Sequence, residues 1–160
     1  MVELNEMISH LKNITCINSW VPFNEAWGQF DSLDVSKHIR DIDKTRLIDH
    51  ASGWSDQGGT DFRSEHIYFK KVKFNEKYAK ERILALTEFG GYSLLVKENS
   101  FNPDKVFGYK KYQNQQDLEK SIKLLYEEQI IPEVKKGLNV LIYTQLSDVE
   151  DEVNGFLTYD

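Results

Sequence analysis

Two carboxylates stand where apolar runs stop. Glu25 follows Trp20-Val21-Pro22-Phe23-Asn24, and Glu88 follows Ile83-Leu84-Ala85-Leu86-Thr87. A parallel strand covered on both faces is apolar throughout, and α/β barrels set their chemistry at strand ends. Two carboxyl groups about 5–5.5 Å apart suit retaining cleavage of a glycosidic bond, one as nucleophile and one as acid and base. Their environments must differ. The acid keeps its proton through burial and a neighbouring negative charge; the nucleophile stays ionised with the help of hydrogen-bond donors. Taken alone, each is equally an ordinary exposed acid. Asn24 fits a donor to a sugar 2-hydroxyl, a contact that strengthens in the transition state, or a turn-forming amide. Trp27, Trp54 and Tyr143 offer apolar faces on which a pyranose could stack, with core packing as the alternative.

Positioning these residues takes strands that alternate with helices. Val2, Leu4, Met7, Ile8 and Leu11 fall at helical spacing. Cys16 to Phe23 reads as the first strand, with Cys16 a small buried apolar residue. A helix over 34–43 follows, with Asp34 as N-cap and Val35, Ile39 and Ile42 on one face. Leu47 to His50, Ser64 to Phe69, Ile83 to Leu86 and Leu138 to Tyr143 read as further strands, and the longest helix runs from Asp117 to an end near Pro132 or just past it at Lys136-Gly137. Gly90-Gly91 lets the chain turn sharply after Glu88. Residues 101–112 read as a long aromatic loop, and 145–154 as an acidic one. Strands separated by helices indicate parallel crossover units.

Asn24-Glu25 at a strand end, followed by Trp27, resembles the acid/base motif of glycoside hydrolase family 2, which includes β-galactosidases and β-glucuronidases. Four further pieces follow in the family's order: Leu47 to Trp54, Glu65-His66-Ile67-Tyr68, Leu86 to Tyr92, and Tyr143 to Gly155. Together they cover nearly the whole chain. What they resemble is the later part of the family's catalytic domain, from just before its fourth strand. The resemblance implies that Glu25 is the acid/base and Glu88 the nucleophile. It implies too that Tyr68 donates a hydrogen bond to the nucleophile and that His66 contacts the sugar. Asn13-Ile14-Thr15-Cys16 replaces the family's Asn-His-Pro-Ser, and Phe69 stands where Pro often follows the tyrosine.

The implied fold is α/β, a partial (β/α)8 barrel of about five parallel strands with flanking helices. Residues 1–160 would form a single domain that lacks the early strands. The implied function is that of a retaining glycoside hydrolase on β-linked, β-galactosidase-type sugars, by double displacement, with no cofactor and no metal. The alternative is a non-catalytic or inactive fragment that binds carbohydrate or needs a partner chain to complete the barrel. Open sheet edges invite self-association or a complementing chain.

Composition sets outer bounds. The chain has 160 residues, 40% hydrophobic and 29% charged, with a formal charge of −6, which is ordinary globular material. That charge argues against nucleic acid and an anionic membrane surface, and suits a neutral sugar. A lone cysteine excludes an internal disulfide. The start lacks the pattern of a signal peptide, so a cytoplasmic location is the default expectation. A flavodoxin-like nucleotide enzyme would need a Gly-rich loop after the first strand, and none is present.

Overall fold

The computed structural model describes residues 1–25 and 28–159. The chain divides into two compact units, one of Met1–His66 with Asn75–Ala85, the other of Ile67–Phe74 with the chain from Leu86 onward.

In the first unit, helix α1 (Val2–Leu11) and helix α2 (Ser32–Ile42) bury one stripe each. Leu4, Ile8 and Leu11 carry the α1 stripe, while Val2 and Met7 are exposed. Ile8, Val35, Ile39, Trp20 and Ile48 form the buried core. His38 lies on α2 within 2.6 Å of the Asn5 side chain and joins the two helices. Helix α2 begins earlier than the sequence indicates: Asp31 takes the N-cap position, and Asp34 falls in the first turn, where its negative charge is stabilised by the positive end of the helix dipole. Cys16 is exposed, contrary to its expected burial.

Strand β1 (Ser19–Trp20) pairs in parallel with β2 (Leu47–Ile48), Trp20 opposite Ile48. The remaining strands are β3 (Phe62–Ile67), β4 (Ile83–Gly90), β5 (Tyr92–Leu94), β6 (Lys110–Tyr112) and β7 (Leu138–Thr144). They form a three-stranded sheet of order β3-β4-β7 and a parallel pair β5-β6. The expected partial (β/α)8 barrel is therefore absent: the strands make three small separate sheets. A local cause is visible at β2. Its Ile48 N–H is taken by the Asp61 carboxylate at 2.7 Å, and the Asp61 N–H by the Ile48 carbonyl at 3.1 Å. Asp61 thus occupies the edge of β2 opposite β1, whose own ladder runs through the Leu47 and Asp49 N–H groups, and among the described residues no further strand pairs with β2 there.

In the second unit, helix α3 (Gln115–Leu125) is capped by the Asn114 side chain, which accepts from the Asp117 N–H at 2.9 Å. A π-helical turn (Tyr126–Ile130) and helix α4 (Ile131–Val134) continue it to Val134, between Pro132 and Lys136-Gly137 where the sequence indicates its end. Gln129 and Glu133 on this rod accept the backbone N–H groups of Val72 and Phe74, at 3.0 and 2.9 Å. The basic stretch 70–74 is thereby pinned with Val72 and Phe74 inward and its lysines outward. Strand β6 arises inside the stretch 101–112 that reads as a loop, and pairs with β5, to which the sequence assigns no element. Among the described residues no helix is long and apolar enough to cross a membrane.

A buried carboxylate locks the first unit together. Asp43 accepts from Trp20 Nε1 at 3.0 Å, from the Thr45 N–H at 2.8 Å and from the Thr45 hydroxyl at 2.6 Å. Burial alone would raise its pKa, but these bonds and Arg46 outweigh it and bring the value from 3.8 to about 2. A group with a depressed folded pKa stabilises fully above its unfolded value and loses that contribution as pH falls through the folded one. Asp43→Asn should cost about 1–2 kcal/mol near neutral pH. In urea denaturation, the gap between variant and wild type should close as pH falls from about 4 towards 2.

Candidate active-site residues

The first unit gathers polar side chains at the ends of β2 and β3. Along β3, Phe62, Ser64 and His66 are buried. Ser64 Oγ donates to Asp49 Oδ1 at 3.0 Å and accepts the Gly53 N–H at 3.2 Å. Asp49 is buried at the end of β2, and burial pushes its carboxyl up. Its Oδ2 has no hydrogen-bond partner among the described residues. The neighbouring His50 is also buried, which lowers its pKa. It accepts the Gln57 N–H at Nε2, at 2.9 Å, so the proton of the neutral ring lies on Nδ1, 2.9 Å from Thr60 Oγ1.

His66 is the centre of this cluster. Its Nδ1 lies 2.7 Å from Glu25 Oε1, and its Nε2 lies 2.9 Å from Ser52 Oγ. The backbone of Gly53 packs flat on the ring: an added Cβ would sit 2.5 Å from His66 Cγ, and φ is +94°. Trp54, half-exposed, is tilted against the same ring at 6.4 Å between centroids. Glu25 is held towards the turn after β2 because the Ser52 N–H donates to the Phe23 carbonyl at 2.9 Å. Asn24 is exposed. Trp27 lies outside the described residues.

The second unit positions the other acid. Tyr68 Oη donates to Glu88 Oε2 at 2.6 Å and lies 2.9 Å from Thr144 Oγ1. Burial, then the bond to Glu88, push the phenol far above its ordinary value. The ring is oriented by Tyr109, which stacks on it at 3.6 Å with planes 1° apart. Tyr109 in turn lies over Gly91, where a Cβ would come within 2.3 Å of its ring. Beside Tyr68 a cavity of about 450 Å³ is lined also by Phe69, Tyr92, Tyr109, Lys110 and Gln129, within the rough 300–1,000 Å³ range of small-molecule sites.

Tyr143 does not offer an open face. It stacks on Phe156 at 4.5 Å, meets Phe89 edge-on at 5.4 Å, and its hydroxyl accepts the Tyr92 N–H at 3.2 Å. Burial pushes its pKa up to about 12. It also lies against Gly90, where a Cβ would fall 2.1 Å from the ring.

Of the residues singled out from the sequence, the structure brings Glu25, His66 and Trp54 together in the first unit and Tyr68 and Glu88 together in the second. Ser52, Thr144 and Tyr109 escaped the sequence reading. Ser52 and Thr144 lie inside two of the quoted pieces, beside residues that drew attention. Tyr109 is one of four aromatics in the 101–112 stretch, with nothing in its spacing to distinguish it. No protein-family model matches the chain, and no curated protein matches it.

The contact between Gly53 and His66 generates a test. Gly53→Ala forces a side chain into a backbone conformation that L residues avoid and into the ring itself. It should cost roughly 1–3 kcal/mol and shift the His66 ring resonances in NMR. A variant with wild-type stability and unchanged His66 signals would contradict the packing described.

Proposed function

We propose that this chain is the catalytic region of a retaining glycoside hydrolase acting on β-linked sugars by double displacement. The observation that carries the reading is the short bond from Tyr68 to Glu88, 2.6 Å. In this bond the phenol keeps its proton and donates it to the carboxylate. A donor in that place is what the nucleophile of a double displacement requires. Glu25 has a different partner, His66, whose ring nitrogen can donate to a carboxylate or accept from a carboxylic acid. An acid/base residue alternates between those two forms.

In the proposed reaction Glu88 attacks the anomeric carbon and Glu25 protonates the departing oxygen. Glu25 then takes a proton from water, the water oxygen bonds to the anomeric carbon, and the ester bond to Glu88 breaks to free the carboxylate. Asn24 and Trp54, both exposed to an approaching ligand, are the proposed contacts to the sugar. The resemblance of the quoted motifs to family 2 supports the same roles. Carbohydrate binding without turnover is the second reading, favoured by the half-exposed face of Trp54.

Turnover separates the two. On aryl β-galactosides or β-glucuronides, Glu88→Gln should lower kcat/KM by roughly a thousandfold or more. Glu25→Gln should lose on the order of 10²–10⁴ on substrates with poor leaving groups, and much less on activated aryl glycosides, which need little protonation. Tyr68→Phe should reduce kcat while leaving KM nearly unchanged. A purified chain that binds such sugars but hydrolyses none of them would discard the enzyme reading.

A further inference from the structure

We propose that Ser52 is a positioning residue for Glu25, acting through His66; the assignment rests on the acid/base role proposed for Glu25. Three side chains form a line: Glu25 Oε1 to His66 Nδ1 at 2.7 Å, and His66 Nε2 to Ser52 Oγ at 2.9 Å. The order serine, histidine, acid also occurs in nucleophilic triads. Burial decides against that use here. Ser52 is 8% exposed and the His66 side chain is fully buried, whereas the Glu25 side chain is 20% exposed. The end that can meet a substrate is the carboxylate.

The chemistry of each partner explains why a hydroxyl stands at position 52. When Glu25 is ionised, a hydrogen bond to it requires the proton on His66 Nδ1, which leaves Nε2 as an acceptor in the neutral ring. When Glu25 is protonated, its O–H can donate to Nδ1, and the ring proton then lies on Nε2, a donor. The group at Nε2 must donate in the first state and accept in the second. A carbonyl or carboxylate can only accept, and a backbone N–H can only donate. A serine hydroxyl does either by rotating about its C–O bond. With the ring neutral in both states, no net proton passes through Ser52.

The rest of the pocket is built to keep the ring still while its protons change. Gly53 packs against its face, and Ser64, two residues earlier on β3, accepts the Gly53 N–H. The Ser52 N–H donates to the Phe23 carbonyl, which fixes residue 52 relative to the stretch that carries Glu25. The charged groups acting on His66 in this unit include Glu25, at bonding distance, and the buried Asp49 at the end of β2. Asp49 is engaged by Ser64 and offers His66 no direct hydrogen bond among those described.

The test follows the His66 ring nitrogens by NMR of isotope-labelled histidine through a pH titration, beside kcat/KM profiles on an aryl β-glycoside. In the wild-type chain the ring proton should move from Nε2 to Nδ1 as Glu25 ionises, and Glu25→Gln should abolish the change. Ser52→Ala should displace the midpoint by about half a pH unit or more and lower kcat/KM roughly tenfold. Ser52→Thr, which keeps the hydroxyl, should restore both towards wild type. A wild-type ring that keeps one protonation pattern while Glu25 ionises would overturn the proposal. So would a Ser52→Ala chain with unchanged midpoint and pH profile. Should Ser52→Ala fail to fold, the wild-type and Glu25→Gln titrations still decide. A coupled titration in a chain that cleaves no glycoside would sink the glycosidase reading alone; turnover with an uncoupled ring would sink the Ser52 assignment alone.

Discussion

A polar group taken out of water without a partner costs roughly 1–3 kcal/mol in proteins. The ends of β2 and β3 place Asp49, His50, Ser52, Ser64 and His66 all in buried positions. That concentration is made tolerable by bonds among these side chains and the surrounding backbone, which reach all five, with Asp49 Oδ2 left over. Ser64 serves both Asp49 and Gly53, Ser52 meets His66, and His50 is held between Thr60 and Gln57. The same bonds that remove the burial cost fix the rotamers. Glu25 inherits its orientation from this network and not from the two-residue strand that precedes it.

The two units reach a similar end by different means. In the first, hydrogen bonds replace sheet: the Asp61 carboxylate takes the Ile48 N–H, while Arg40 bonds both Asp61 and the Arg46 carbonyl. In the second, ring packing does the positioning. Tyr68 is held by the Tyr109 stack, Tyr109 by Gly91, and Tyr143 by Gly90, Phe89 and Phe156. Glycines at 90 and 91, both with positive φ, are required because any side chain there would enter an aromatic ring. The expectation that they allow a sharp turn covers half of their use; the other half is close approach.

The helices were legible because burial imposes a period of 3.6 on their apolar residues. Val35, Ile39 and Ile42 announce α2 as clearly as any local signal can. The barrel was misjudged because strand propensity is local, while sheet continuity depends on which groups take up each backbone N–H. Nothing in Asp61 as a letter says that its side chain will take the Ile48 N–H on the open edge of β2. Tyr68 and Glu88 were legible through motif order, and their bond matches the contact that the resemblance implied. Tyr143 shows the limit of that reading: at a strand end it was given a face for sugar, yet that face is spent on Phe156. Ser52 was invisible, since its value lies in a contact with a ring fourteen positions away.

What separates the two acids is the repertoire of their partners. Tyr68 keeps its proton and donates it to Glu88. His66 has two modes towards Glu25, and Ser52 has two modes towards His66. That line of groups accommodates a carboxyl group that gains and loses a proton in each cycle. Under the proposed mechanism, the division of labour between two otherwise identical glutamates is therefore written in the side chains that hold them.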